Sequence, residues 1–377
     1  MAVFRAAHAA GGNWRELVAQ IVERLDVAAH GDNIGLLYAT DYLARHLGEI
    51  LTELRQRTGI ADWVGTVGIG IGAKLAGEAA VGHFDRPALV AMVGRLPPDS
   101  FRVFEPAHGG FGAFRHQYGD WLAQAHPLLG IVHGDPRNPL TPSIVADLAE
   151  VTGSFLVGGM TSSRAGNFPQ VARRVVEGGF SGVLFGAGVG AAMGLAQSCA
   201  PIGPQHRVTG AARNLVMEVD GRPALAVLKE ELAPLSEVSL ERIGWDCFVG
   251  LEDTVGVSTS LMAHGIIGVD SDRGWLALDR MVEIGAAMAF MRLSREAAEA
   301  DLRAMLGRVM TVAQQKAKGA VYFSCVSRGP QLFGSAEREF AIIGDSLGAV
   351  PVIGFFCSGE VCHNRIHSFT GVLAVFF

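Results

Sequence analysis

Lysine is almost absent from this 377-residue chain, which carries it only at Lys74, Lys229, Lys316 and Lys318. Charged residues of both signs reach 18% and sum to a net charge of −6. The clustered positive field that a nucleic-acid backbone or an anionic membrane requires is missing, and Arg173 with Arg174 forms the one adjacent basic pair. Cysteine is scarce as well. The five present, Cys199, Cys247, Cys325, Cys357 and Cys362, cannot all pair, which fits a reducing compartment better than an oxidising one. No apolar run approaches the roughly 18 residues needed to cross a bilayer, and the N-terminus has no continuous apolar segment of the signal-peptide kind. The expectation is a cytoplasmic protein with no nucleic-acid or membrane partner.

What the chain does have is apolar residues, at 49%, and 49 glycines against 15 prolines. That balance excludes disorder and indicates many close backbone approaches. The length exceeds the size at which single hydrophobic cores stop growing, so two domains or two lobes are expected.

Residues 14–29 place Leu17, Ile21, Val22 and Leu25 on one helical face. A buried strand follows at IGLLYAT (34–40), then a helix with Asp41 as N-cap and Gly59 as its stop. VGTVGIGIG (64–72) and ALVAMVGRL (88–96) read as two further strands. The order strand, helix, strand, strand recurs with strands at 128–135, 155–163 and 182–189, and again at 320–329, 350–359 and 370–377. Three such units predict an α/β fold of the α+β kind, with mixed sheets built from repeated βαββ units, packed helices and two related lobes. Between them lie a strand from Asn214, a turn at Asp220-Gly221, a helix starting near Pro223 and a long helix from about Glu296 to Lys318. Gly, Pro and Ser cluster near 195–213, which puts the domains at 15–200 and 201–377.

The densest polar cluster sits in the last unit. Cys325 and Arg328 close its first strand, and Cys357 and Glu360 close its second. A helical crossover makes these strands parallel neighbours, so their C-terminal ends meet on the rim where open α/β sheets bind ligands. The candidate ligand-binding residues are Cys325, Arg328, Gly329, Cys357, Ser358, Gly359, Glu360 and His367. Arg328 would grip a ligand carboxylate and Glu360 its ammonium, and the competing reading is a structural Arg328–Glu360 ion pair. His133, Asp135 and Arg137 after one first-lobe strand, with Thr161, Ser162, Ser163 and Arg164 after its neighbour, form a lesser cluster that also fits ordinary turn chemistry.

Other chemistries are weaker. Cys357, Cys362, His363 and His367 spell C-x4-C-H-x3-H, but Cys362 and His363 point to opposite faces of an extended segment, so no metal is expected. Gly68, Gly70 and Ala73, and likewise Gly186, Gly188 and Ala191, lack the surroundings of a dinucleotide site and read as packing glycines, so no cofactor is expected. A nucleophilic Cys325 or Cys357 would need a base, for which His367 is the candidate nearby in sequence.

Two motif runs form a long ordered series. The first, QSCAPIGPQHRVTGAARNLVMEVDGRPALAVL (197–228), carries Cys199, Pro201, Gly203, Pro204, Val208, Thr209, Asn214, Asp220 and Gly221. The second runs through Cys325, Arg328, Gly329, Phe333, Gly334, Glu337, Phe355, Phe356, Gly359, Glu360, His367, Thr370 and Gly371. In these residues the chain resembles the FIST family, small-ligand-sensing domains found alone in bacteria, fused to signalling modules, or behind an F-box in eukaryotes. The resemblance implies a FIST N-terminal domain over 15–200 and a FIST C-terminal domain over 201–377, of the stand-alone bacterial type, since Trp14 leaves no room before it for an F-box. It further implies a sensory protein that binds a small molecule, an amino acid or related polar metabolite, and signals through a separate partner protein. The alternatives are an enzyme of unassigned reaction using the Cys, Arg, Glu and His rim, or an interaction scaffold without a ligand.

Overall fold

A computed structural model describes residues 3–27, 30–234, 247–255, 258–313 and 316–377. The chain forms two compact units, residues 1–196 together with 302–377, and residues 197–301.

The first run comprises β1 (Val3–Ala10), α1 (Trp14–Leu25), β2 (Ile34–Thr40), α2 (Leu47–Thr58), β3 (Asp62–Gly68), β4 (Gly70–Lys74), β5 (Val81–His83) and β6 (Ala88–Arg95). Asn13 starts α1 with a capping box. Its side-chain oxygen accepts from the amides of Arg15 and Glu16 at 3.0 and 3.2 Å, and Glu16 reaches back to the Asn13 amide. Leu17, Val18, Ile21 and Leu25 then bury the apolar stripe. Asp41 does not cap a helix as its position suggests. It opens a 3-10 turn, and its carboxylate accepts from the amide and Nη1 of Arg164 at 2.6 and 2.5 Å. Gly59 ends α2 in the left-handed region, at φ 73°. The single strand expected over 64–72 is two strands that break at Ile69 and enter different sheets.

The second run is β7 (Phe101–Ala107), α3 (Gly112–Ala125), β8 (Leu129–Gly134), α4 (Thr141–Thr152), β9 (Phe155–Met160), β10 (Gln170–Ala172), β11 (Arg174–Val176) and β12 (Phe180–Phe185). The third opens with β13 (Ala191–Gln197) and is then interrupted by the second compact unit. That unit holds β14 (Cys199–Pro201), β15 (His206–Ala212), β16 (Leu215–Val219), β17 (Arg222–Pro223), α5 (Ala224–Leu232), β18 (Cys247–Val255), β19 (Ser258–Asp270), β20 (Trp275–Leu278) and β21 (Ala287–Leu293). The third run resumes with α6 (Arg295–Ala313), β22 (Gly319–Cys325), α7 (Gly329–Phe333), α8 (Arg338–Leu347), β23 (Val352–Cys357), β24 (Glu360–Cys362), β25 (Arg365–His367) and β26 (Thr370–Phe376).

Three six-stranded mixed sheets of one plan build the first unit, in the orders β1-β6-β2-β3-β10-β11, β7-β12-β8-β9-β24-β25 and β13-β26-β22-β23-β4-β5. The central pair of each, β2/β3, β8/β9 or β22/β23, is parallel, as a helical crossover requires. Two strands at one edge of each sheet come from a different run, so every run completes a sheet that another began. These strands read as unbroken apolar runs because both their faces are covered. Each parallel pair also holds a glycine at the same step. A Cβ at Gly65, Gly158 or Gly354 would lie 1.7, 1.9 or 1.8 Å from the carbonyl oxygen of Leu37, Val132 or Tyr322, which no side chain allows.

The second unit is antiparallel throughout, ordered β14-β21-β15-β16-β20-β19-β18, and β18 pairs in turn with β21 and closes the sheet on itself. Val208, Val216, Leu228, Val249, Leu276 and Phe290 fill its core. Counted along the chain, the third βαββ run falls in the second half; in space it belongs with the first two.

Candidate functional site

The site begins where β22 and β23 end. Their parallel register sets Cys325 beside Cys357, as the crossover argument expects. Two polar layers diverge from there, and both are fully buried.

In the first layer the Arg328 Nε donates to Glu339 Oε1 at 2.9 Å, and Nη2 donates to the Tyr322 hydroxyl at 3.3 Å. Tyr322 and Ser324 also donate to Glu339, at 2.7 and 2.9 Å, and the guanidinium lies 5.1 Å over the Phe333 ring. Glu339 is thus an ion-pair partner of Arg328 that the sequence reading missed. Glu339 is eleven residues from Arg328, but two intervening helix starts and a turn separate them, so their spacing gives no helical i,i+3 or i,i+4 signal.

In the second layer the Cys357 thiol lies 3.2 Å from Glu360 Oε1 and 3.3 Å from the Ser324 carbonyl, both acceptors for its single hydrogen. Glu360 Oε2 accepts from the amide and hydroxyl of Thr370 at 3.1 and 2.8 Å. Burial pushes the Glu360 carboxyl up to about 7, although Thr370, Cys357 and the positive Arg328 favour its charge. Burial, with Glu360 adding to it, pushes the Cys325 thiol up to about 12 and Cys357 well above its ordinary value. Both thiols are therefore held protonated near neutrality.

Glu360 pairs in register with Gly159 of β9, and Gly159 with His133 of β8. Cys357 fills the space over that glycine, since a Cβ there would sit 2.6 Å from its sulfur. His133 Nε2 is 3.2 Å from the Tyr38 hydroxyl, and Tyr38 stacks on Phe355 at 5.0 Å. Tyr38, His133 and Phe323 each follow by one step the residue over which a glycine closes, so they occupy matching places in the three sheets. Burial lowers the His133 pKa to about 3, and Nδ1 of this neutral ring is buried without a hydrogen-bond partner.

The remaining expected residues divide. His367 is buried opposite Glu360 across β24 and β25. Gly329 begins α7, where a Cβ would press on Phe84 and Phe356. Ser358 is exposed and donates to the Thr161 carbonyl at 3.0 Å, and the Gly359 carbonyl accepts from the Met160 amide at 2.8 Å. The lesser cluster separates: Asp135 pairs with Arg137 at 2.6 Å, Arg164 goes to Asp41, and Thr161 bonds Thr66 at 2.7 Å. The Ser162 hydroxyl donates to the Phe356 carbonyl at 2.5 Å, and the Ser163 hydroxyl accepts from the Ala165 amide at 3.3 Å. His363 is exposed and packs on Phe155, and among the described residues no three His, Cys, Asp or Glu side chains are arranged to hold a metal.

The FIST N domain matches residues 33–222 and the FIST C domain residues 224–363. The chain belongs to the FIST family. FIST domains are taken as sensory domains that bind small ligands in signalling. Among similar chains is an uncharacterized protein of Mycobacterium tuberculosis strain H37Rv, 28% identical over 305 residues that span 78% of this chain and 79% of the relative. An uncharacterized protein of Mycobacterium bovis is 30% identical over 306 residues, 78% of each chain. In this FIST chain the match to the C domain ends at 363, so His367 and Thr370 lie beyond it. No helix among the described residues is long and apolar enough to cross a membrane.

Proposed function

We propose that this FIST protein is a cytoplasmic sensor of a small polar metabolite, an amino acid or a relative of one, that signals through a separate partner protein. The observation that carries this reading is Glu360, a buried carboxyl poised near neutrality beside Cys357 and Thr370. A ligand amine donating to it would draw the carboxyl into its charged form, so binding and ionisation would reinforce each other. Cys325, Cys357 and His367 would line the site, with Arg328 and Gly329 behind them. Ser358 and Gly359 would supply the way in, because Ser358 is at the surface between two buried residues. The raised thiols favour binding over nucleophilic catalysis. The common plan of the three sheets supports an origin by internal duplication.

Thermal unfolding against a panel of amino acids and related metabolites tests the reading. A ligand at about 100 times its Kd adds about 2.7 kcal/mol and raises the midpoint by several degrees. The rise should vanish in Glu360→Gln, which keeps the side-chain shape. An equal rise in that variant would remove Glu360 from the site, and no rise with any compound would count against a small-ligand sensor.

A further inference from the structure

Half of the large apolar side chains exposed among the described residues, Ile267, Val269, Met281 and Ile284, belong to the second unit, which holds little more than a quarter of the chain. Residues paired across antiparallel strands share one face of the sheet. The inner face is the core: Val216 pairs with Leu276 and Ile266 with Leu278, and α5 packs among them. On the outer face Ala212 pairs with Leu215, Leu215 with Ala277, and Ala277 with Gly268, so a row without charge crosses β15, β16, β20 and β19. Every residue of that row is half-buried or exposed. The register shift between Ile266 and Gly268 adds Ile267 to the same face, where it is 65% exposed. Beyond β20 the chain returns past the end of the row. Its Asp279 amide donates to the Gly265 carbonyl at 3.1 Å and its Val282 amide to the Arg213 carbonyl at 2.8 Å, which leaves Met281 62% exposed between them.

An apolar sheet face is stable when a helix or another sheet covers it, and charge narrows the choice of cover. The second unit carries sixteen acidic and nine basic residues, a net of −7, whereas the rest of the chain sums to +1. Such a field draws in a basic partner and repels a second copy of the same unit. We infer that this outer face is the docking surface for the partner protein, covered by an amphipathic helix whose apolar stripe meets Leu215, Ile267 and Met281 and whose flanks carry Lys and Arg. The inference rests on the sensor reading for the need of a partner, but its residues lie in the second unit and Glu360→Gln leaves them untouched, so either can fail without the other.

Fluorescence anisotropy with the full chain tests this, using as probe a labelled Leu-Lys amphipathic helix of about 18 residues, with its scrambled sequence and a Leu-Glu helix of the same stripe as controls. The Leu-Lys helix should bind saturably, and the double change Ile267→Ser with Met281→Ser should weaken it about tenfold while the thermal midpoint stays unchanged. Val312→Ser, 59% exposed but in the first unit, should leave the affinity unaltered. The absence of saturable binding, equal binding of the scrambled or Leu-Glu peptide, or an affinity that the double change leaves intact overturns the assignment. So does a free chain that sediments as a dimer and is dissociated by the same double change, because the face would then belong to a second copy.

Discussion

Glu360 and Arg328 represent two ways of holding charge in a core. Arg328 is held by Glu339 and Tyr322, and removing it leaves Glu339 a buried carboxylate without a countercharge, bonded only to the hydroxyls of Tyr322 and Ser324. Arg328→Met should cost about 3–5 kcal/mol in urea unfolding, and the double change Arg328→Met with Glu339→Gln should recover much of that loss. Glu360 instead carries a proton that the unfolded chain would release, since its pKa rises from about 4.5 to about 7. The stabilisation from its protonated form is complete below the unfolded value and is gone once pH has risen through about 7. Unfolding free energy should therefore fall between about pH 4.5 and pH 7 by a few kcal/mol at most, and Glu360→Gln should flatten that slope.

At the scale of elements, the parallel pairs depend on bare backbone. Gly158→Ala drives a methyl into the Val132 carbonyl at 1.9 Å and should cost several kcal/mol, read as a large fall in thermal midpoint. Gly48→Ala in α2 meets nothing within 4 Å and should stabilise by about 0.5–1 kcal/mol. In the second unit, His206 joins β15 to the turn after β16 and to α5, through Asp220 at 2.7 Å and Glu231 at 2.5 Å. Burial works against its charge, but these two carboxylates outweigh it and hold the imidazole pKa above 6.5. Its stabilisation is present in full below about 6.5 and is lost as pH rises through the raised value. Protection of the β15 and β16 amides, taken relative to the intrinsic exchange rate at each pH, should fall over that range, and His206→Gln should remove that fall.

At the scale of the whole chain, the first unit is discontinuous. The ends of the inserted unit meet, with the Gln197 amide donating to Asp301 at 2.7 Å. Replacing residues 197–301 by a short Gly-Ser linker should leave the first unit cooperatively folded by circular dichroism, whereas a chain cut after 301 loses β22, β23 and β26 from one sheet and β24 and β25 from another, and should not fold. Much of this was legible beforehand. The apolar runs at 34–40, 128–135, 320–329 and 350–359 marked the parallel strands, and their crossovers implied that Cys325 and Cys357 would be neighbours, because element type and local pairing follow from periodicity and connection length. The break at Ile69, the exchange of β4, β10 and β24 between sheets, the capture of Arg328 by Glu339 and the contact of Tyr38 with His133 were decided only by tertiary structure. Burial and long-range pairing choose the partner of a strand or a charge, and neither is written in the spacing of residues along a chain.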